Sequence, residues 1–110
     1  MIYFDSAATT LQKPPSVAAA SARAVRMCAS PGRGDYAASR RAEEIVFACR
    51  NELSELFDTG GAERVVFASN ATLALNLAIR SLVHAGSCVL ISSWEHNAVT
   101  RTLHSIPNVT

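Results

Sequence analysis

Two short apolar runs, separated by one helical stretch, constrain the fold of this chain more than any other feature. The runs extend from Arg64 to Ala68 and from Cys88 to Ile91, and both are rich in side chains typical of buried strands. Residues 73–84 between them carry apolar side chains at helical spacing, and Gly86 ends that helix. A strand, a helix and a strand within about thirty residues predict a βαβ unit with parallel strands and a right-handed crossover. We therefore predict an α/β fold.

Three further helices and one loop complete the predicted layout. An alanine-rich helix should begin near Pro15 or Ser16 and end at Met27, because proline is tolerated in a first helical turn. A long amphipathic helix should cover residues 39–57, and a short one residues 98–104. Residues 2–4 can form a short strand, whereas the proline and two glycines within residues 29–36 predict an irregular loop.

The composition limits the classes of function. The 110 residues, 17% of them charged with a formal net charge of +1, fit one small domain, residues 1–110, without a separate second domain. The charges form no basic stripe, so we expect neither nucleic-acid nor membrane-surface binding. No apolar run approaches the roughly 20 residues of a membrane span. The start of the chain has no positive segment leading into a hydrophobic stretch, so we expect a soluble, cytoplasmic protein. Three widely spaced cysteines predict neither a disulfide framework nor a CxxC site and are expected to be thiols in a reducing compartment.

Polar residues follow each of the two predicted strands, at the sheet edge where ligands of open α/β proteins bind. In the first loop, Ser69, Asn70 and Thr72 surround the start of a helix, where free N–H groups, the helix dipole and hydroxyl groups suit a phosphate. The alternative is that Ser69 or Asn70 only caps the helix.

The second loop brings Glu95 and His96 to the same edge. A histidine there could stack on a planar ligand, transfer protons or cap a helix. The histidines and cysteines lack the close spacing of zinc ligands, so no metal site is predicted. The sequence has no GxSxG motif and no signature of an activated cysteine, so a serine or cysteine nucleophile is not predicted.

Four segments, in order along the chain, resemble the class V aminotransferase family, specifically its cysteine desulfurase and selenocysteine lyase branch. Residues 2–10 are similar to the family's Y-L-D-N-A-A-T-T start, and residues 30–34 to its N-P-G-R-G loop. Residues 65–78 resemble V-V-F-T-S-[GN]-A-T-E-A-L-N-L-A, and residues 95–99 resemble the E-H-N-A/S-V segment. The resemblance covers nearly the whole chain.

The resemblance implies a fold, a cofactor and a set of site residues. The fold would be part of the large domain of a pyridoxal-phosphate-dependent transferase, the aspartate-aminotransferase-like fold type I. The cofactor would be pyridoxal 5'-phosphate, with its phosphate held at Asn70, Ala71 and Thr72. His96 would stack on the pyridine ring and assist proton transfers, and Arg33 would lie on the substrate side.

The resemblance also implies an activity. The complete enzyme would remove sulfur from L-cysteine, giving alanine and a persulfide on an enzyme cysteine, and would act as a homodimer that passes sulfur to an acceptor protein. The chain departs from the family pattern at Ser6, Tyr36 and Leu73, where Asn, His and Glu are usual. These departures affect the expected identity of the substrate more than the expected phosphate site.

The only lysine is Lys13, whereas the family attaches the cofactor to a lysine far downstream. The persulfide-forming cysteine of the family also lies later than Cys28, Cys49 and Cys88. We therefore expect an amino-terminal fragment that is inactive by itself. The alternatives are a non-catalytic remnant that folds by association and a small phosphate-binding α/β module.

Overall fold

The computed structural model describes residues 2–110, and four α-helices form its regular structure together with one 3-10 turn, Ala62–Arg64. The helices are α1 (Pro15–Met27), α2 (Ala37–Phe57), α3 (Ala71–Leu82) and α4 (Asn97–His104). All four predicted helices are confirmed, and Pro15 occupies the first turn of α1 as expected. No helix within the described residues is long and apolar enough to cross a membrane.

The predicted α/β fold is wrong for this structure. Residues 2–110 contain no strand and no sheet, so neither the βαβ unit nor the opening strand at residues 2–4 is formed. The sheet of the expected fold type I domain is therefore missing from the described part of the chain. The apolar runs at 64–68 and 88–91 are present as irregular segments on either side of α3.

The two apolar runs form no strands because an extended backbone alone does not make a strand, which also needs hydrogen bonds to a neighbouring strand. Val65 is extended, with φ −104° and ψ 119°, but its N–H donates to Ala62 O (3.2 Å) in the 3-10 turn. In the second run, Val89 N–H donates to Thr110 O (2.7 Å), and Thr110 N–H donates to Ser87 O (3.2 Å). β-branched residues favour an extended backbone, but a strand is stabilised by a ladder to a neighbour, and these few bonds do not extend into one.

The chain divides into two compact units, which meet in sequence at Val65 and Val66. In the first unit, the buried Ser39 hydroxyl donates to Ser30 O (2.9 Å), which ties the loop before α2 to that helix. Gly32 N–H, in the same loop, donates to a carboxylate oxygen of Glu43 (2.7 Å). The positive φ of Gly32, +73°, explains why a glycine stands at this turn. These two hydrogen bonds hold the predicted loop against α2 in a single conformation.

In the second unit, α3 and α4 pack against each other. The buried side chains of α4 are Ala98, Thr102 and Leu103, whose spacing of four and five residues places them on one side of the helix. No residue of α3 is fully buried. The helix pair is therefore held by polar contacts as well as by a small apolar core.

Both units leave apolar side chains exposed. The accessible surface of the chain is 9006 Å², whereas a compact folded unit of half its mass exposes about 3,500 Å², or about 7,000 Å² for two separate units. Phe4, Leu90 and Trp94 are each more than nine-tenths exposed. The chain thus exposes more surface than folded units of this size usually do, and large apolar side chains are among the exposed residues.

Candidate functional site

The start of α3 has the features of an anion-binding helix end. Asn70 is the N-cap residue, and its side-chain oxygen accepts the Leu73 N–H at 2.8 Å. Its backbone oxygen accepts the Ala74 N–H at 3.1 Å. The capping role that the sequence allowed for Asn70 is therefore confirmed, and it fixes the direction in which the helix begins.

Capping leaves three donors at this helix end unused. Across residues 2–110, no hydrogen bond takes up the N–H of Ala71, the N–H of Thr72 or the Thr72 hydroxyl, and both residues are exposed. These groups lie at the positive end of the α3 dipole. A phosphate can accept several such donors together, so the cap and an anion site are compatible at this position.

His96 is the N-cap residue of α4. Its Nδ1 accepts the Ala98 N–H at 3.1 Å, and its backbone oxygen accepts the Val99 N–H at 2.8 Å. An acceptor nitrogen carries no proton, so in this arrangement the ring hydrogen lies on Nε2. The cap therefore fixes the ring and leaves its Nε2 and its faces available to a ligand.

The two helix starts open onto one cleft. This cleft has a volume of about 380 Å³, and its lining includes Thr72 from α3 and His96 from the N-cap of α4. Ser69 and Asn70 line a neighbouring open cavity, which shares Thr72 with the cleft. Of the predicted phosphate residues, Thr72 alone shares this cleft with His96, and helix packing rather than a sheet edge brings the two together.

The cleft carries positive charge. Arg80 and Arg101 are in its lining, and no acidic residue is. One guanidinium nitrogen of Arg80 donates to Ser105 Oγ at 2.7 Å, whereas Arg101 has no ion-pair partner within the described residues. A concave surface lined by charges of one sign attracts ligands of the opposite sign, so this cleft favours an anion.

Several cleft residues were missed by the sequence reasoning. Thr72, Asn76 and Arg80 are spaced by four residues and therefore lie along one face of α3. Thr102 of α4 and Ser105, the C-cap residue of that helix, also belong to this lining. The spacing on α3 could have been found once Thr72 was chosen, but the pairing of that face with α4 is a property of the tertiary structure.

Arg33 and Lys13 belong to the first unit, whereas Asn70, Ala71, Thr72 and His96 belong to the second. Arg33 is exposed, in the loop held by Gly32 and Ser39. Lys13 donates to the backbone oxygen of Thr10, a neighbour in sequence. The substrate-side role of Arg33 stays a prediction.

The cysteines and histidines form no metal cluster within residues 2–110. Cys28, Cys49 and Cys88 are free thiols.

The turn before α4 is held by local hydrogen bonds. Ser92 Oγ donates to a Glu95 carboxylate oxygen (2.8 Å) and accepts the Trp94 N–H (3.3 Å). This turn leads the chain into the His96 cap.

Sequence comparison decides the family. The sequence profile of the aminotransferase class-V family matches residues 2–109. The chain belongs to this family. The class-V resemblance predicted from the four motifs is confirmed, and it includes both helix starts that line the cleft.

The curated relatives of this class-V chain include cysteine desulfurases. A cysteine desulfurase of Klebsiella pneumoniae subsp. pneumoniae is 36% identical over 103 residues, which cover 89% of this chain and 25% of the relative. Cysteine desulfurase IscS of Shewanella denitrificans is 33% identical over 112 residues, covering 96% of this chain and 27% of the relative. The chain thus spans about a quarter of the length of these relatives. No solved structure gives a significant match.

Proposed function

We propose that this class-V chain supplies the phosphate-binding and ring-facing part of a pyridoxal 5'-phosphate site in a cysteine desulfurase-like enzyme. The observation that carries the proposal is the shared cleft of Thr72 and His96. Both residues lie within the class-V match, and the relatives of that segment include enzymes named cysteine desulfurase.

The residues fit the phosphate end of the cofactor. The Ala71 and Thr72 N–H groups and the Thr72 hydroxyl supply donors without partners in the described structure. The absence of acidic residues from the cleft lining, together with Arg80 and Arg101, favours a dianion there. Donors at a helix start need little reorganisation to bind phosphate, because the backbone already holds them in place.

The residues also fit the ring end. A cleft of about 380 Å³ is within the size range of small-molecule sites. Because Nδ1 of His96 is held by the Ala98 N–H, the imidazole presents a fixed face for stacking on an aromatic ring. Its Nε2 is left to hold or move a proton at the ligand.

The proposed activity of the complete enzyme is removal of sulfur from L-cysteine, giving alanine and a persulfide. When bound, pyridoxal phosphate supplies an electron sink for the bonds around the substrate α-carbon. This chain would hold and orient the cofactor without turnover, because its sole lysine, Lys13, lies in the opening segment, whereas the cofactor-binding lysine that the class-V resemblance implies lies far downstream. We also propose a homodimer and a sulfur acceptor protein, and the exposed apolar side chains support an assembly of some kind.

Thr72→Val tests the phosphate role. Valine has the shape of threonine without its hydroxyl, and a hydrogen bond to a charged group contributes about 1.5 kcal/mol or more, so we expect the Kd for pyridoxal phosphate to rise about tenfold. Thr72→Ser restores the hydroxyl and should bind as the parent does. Thr100→Val, on α4 but outside the cleft lining, is the matched control. Unchanged affinity in Thr72→Val would refute the role.

Three ligands separate this proposal from a phosphate-only module. Pyridoxal phosphate should bind more tightly than either inorganic phosphate or pyridoxal, since only the whole cofactor reaches both Thr72 and His96. Equal affinity for pyridoxal phosphate and inorganic phosphate would instead favour the small phosphate-binding module. Replacing His96 by Ala should weaken pyridoxal phosphate and leave inorganic phosphate within about twofold of the parent, because the ring contact and the α4 cap are lost whereas the phosphate donors at the start of α3 stay in place.

A further inference from the structure

Asn76 connects the two ends of the proposed cofactor cleft. It lies one helical turn after Thr72, and its side-chain Nδ2 donates to the backbone oxygen of Thr72 at 2.8 Å. Its Oδ1 accepts the hydroxyl of Thr102 at 2.9 Å, from α4. One amide group is therefore bonded both to the first turn of α3 and to the neighbouring helix.

Thr102 continues this connection towards His96. Its side chain is 4% exposed, and its hydroxyl also lies 2.7 Å from the backbone oxygen of Ala98. A hydroxyl has one hydrogen, so the Asn76 and Ala98 oxygens share it. The N–H of the same Ala98 donates to Nδ1 of His96, the N-cap residue of α4. A continuous chain of polar contacts thus runs from Thr72 through Asn76, Thr102 and Ala98 to His96.

We infer that Asn76 is a positioning residue that, through Thr102, sets the separation between the phosphate donors at Thr72 and the ring of His96. The inference rests on the proposed function, since the separation matters only for a ligand that reaches both ends. Asn76 and Thr102 both line the cleft, but their polar side-chain groups are already bonded to each other, to Thr72 O and to Ala98 O, so their effect on the cofactor passes through the two helix starts.

A second contact shows that the helix pair does not depend on this bridge alone. Arg80 donates to Ser105 Oγ at 2.7 Å, one turn further along each helix. Ser105 Oγ in turn donates to the backbone oxygen of Thr102 at 2.6 Å. Removing the Asn76–Thr102 bond therefore leaves α3 and α4 in contact and alters the geometry at the Thr72 end of the cleft.

The test compares a ligand that reaches both ends with one that reaches a single end. Kd values for pyridoxal phosphate and for inorganic phosphate are measured on the 110-residue chain and on Thr102→Val. We expect pyridoxal phosphate to bind about fivefold to tenfold more weakly, as for the loss of one buried hydrogen bond, and inorganic phosphate to change less than about twofold. The absorption maximum of the bound cofactor should shift, because the ring is seated differently.

Two further variants keep the test decisive. Thr102→Ser retains the hydroxyl and should restore the parent's preference for pyridoxal phosphate. Asn76→Leu removes the Asn76–Thr102 bond from the α3 side with a side chain of similar volume. The two Kd values can therefore still be compared if Thr102→Val does not fold. Combining both changes should cost less than the sum of the two single changes, because both remove the Asn76–Thr102 bond.

The outcomes separate the inference from the proposed function. If the parent prefers pyridoxal phosphate and the variants keep that preference, Asn76 has no positioning role. If both ligands weaken by the same factor, the bridge only stabilises the fold, and the inference is overturned while the cofactor site stands. If the parent binds pyridoxal phosphate no better than inorganic phosphate, the proposed function fails and the inference fails with it.

Discussion

Changing Asn70 to Asp should separate the two roles of the α3 start, capping and anion binding. Aspartate caps helices as well as asparagine does, so its carboxylate should still accept the Leu73 N–H that Asn70 now accepts at 2.8 Å. A negative charge at a helix start also adds about 0.3 to 1 kcal/mol of stability. The same charge stands beside the free N–H groups of Ala71 and Thr72, where it repels a bound phosphate.

The size of the repulsion follows from Coulomb's law. Asn70 is exposed, so the dielectric constant of water applies, and two unit charges about 5 Å apart then repel by about 0.8 kcal/mol. A phosphate group carries about 1.5 to 2 negative charges at neutral pH, and physiological salt screens roughly half of the interaction at this distance. The net penalty is about 0.7 kcal/mol, which corresponds to about threefold weaker binding.

Asn70→Ala should have the opposite effects, a weaker helix cap without added repulsion of the phosphate. It removes the cap at a cost of about 1 kcal/mol of helix stability but adds no charge. Amide hydrogen exchange at Leu73 should therefore become faster in Asn70→Ala and stay as slow as in the parent, or slower, in Asn70→Asp. Phosphate affinity, measured by calorimetry, should fall in Asn70→Asp at low salt and recover as salt is raised. Parent-like affinity of Asn70→Asp at low salt would refute an anion site at this helix start.

Three substitutions test the account of the first unit, each by urea denaturation followed by circular dichroism. Ser39→Ala removes the buried donor to Ser30 O and should cost about 1 to 3 kcal/mol of unfolding free energy; a change below about 0.5 kcal/mol would contradict that bond. Ser54→Ala removes the acceptor of the Gly61 N–H at 2.9 Å and should cost about 1 kcal/mol, whereas a neutral result would show that water replaces it. Gly32→Ala should cost about 1 kcal/mol through backbone conformation alone, since a Cβ there meets nothing within 4 Å; a stabilised variant would refute the positive φ.

The helices could be predicted because their signals are local. α2 has its apolar residues at helical spacing, and α3 has Asn70 as a capping residue directly before it. The strands could not be predicted from the same kind of signal. The runs at 64–68 and 88–91 have the composition of buried strands, but pairing depends on a partner elsewhere in the chain, and no such ladder forms within residues 2–110.

The candidate site was predictable in part. Thr72 and His96 were chosen as residues that follow predicted strands and match family motifs, and they do line one cleft. The sheet edge that was expected to bring them together is not formed, and packing of α3 on α4 does so instead. Asn76 and Thr102 were missed because their bond joins residues 26 positions apart, which no local pattern records.

The most direct test of the proposed site is a ¹H–¹⁵N NMR titration of the chain with pyridoxal phosphate. We expect the largest shift changes on the backbone amides of Ala71 and Thr72 and on the signals of His96, and we expect inorganic phosphate to reproduce only the changes at Ala71 and Thr72. Changes confined to the first unit, or spread evenly over the exposed apolar residues with no preference for the start of α3, would contradict it.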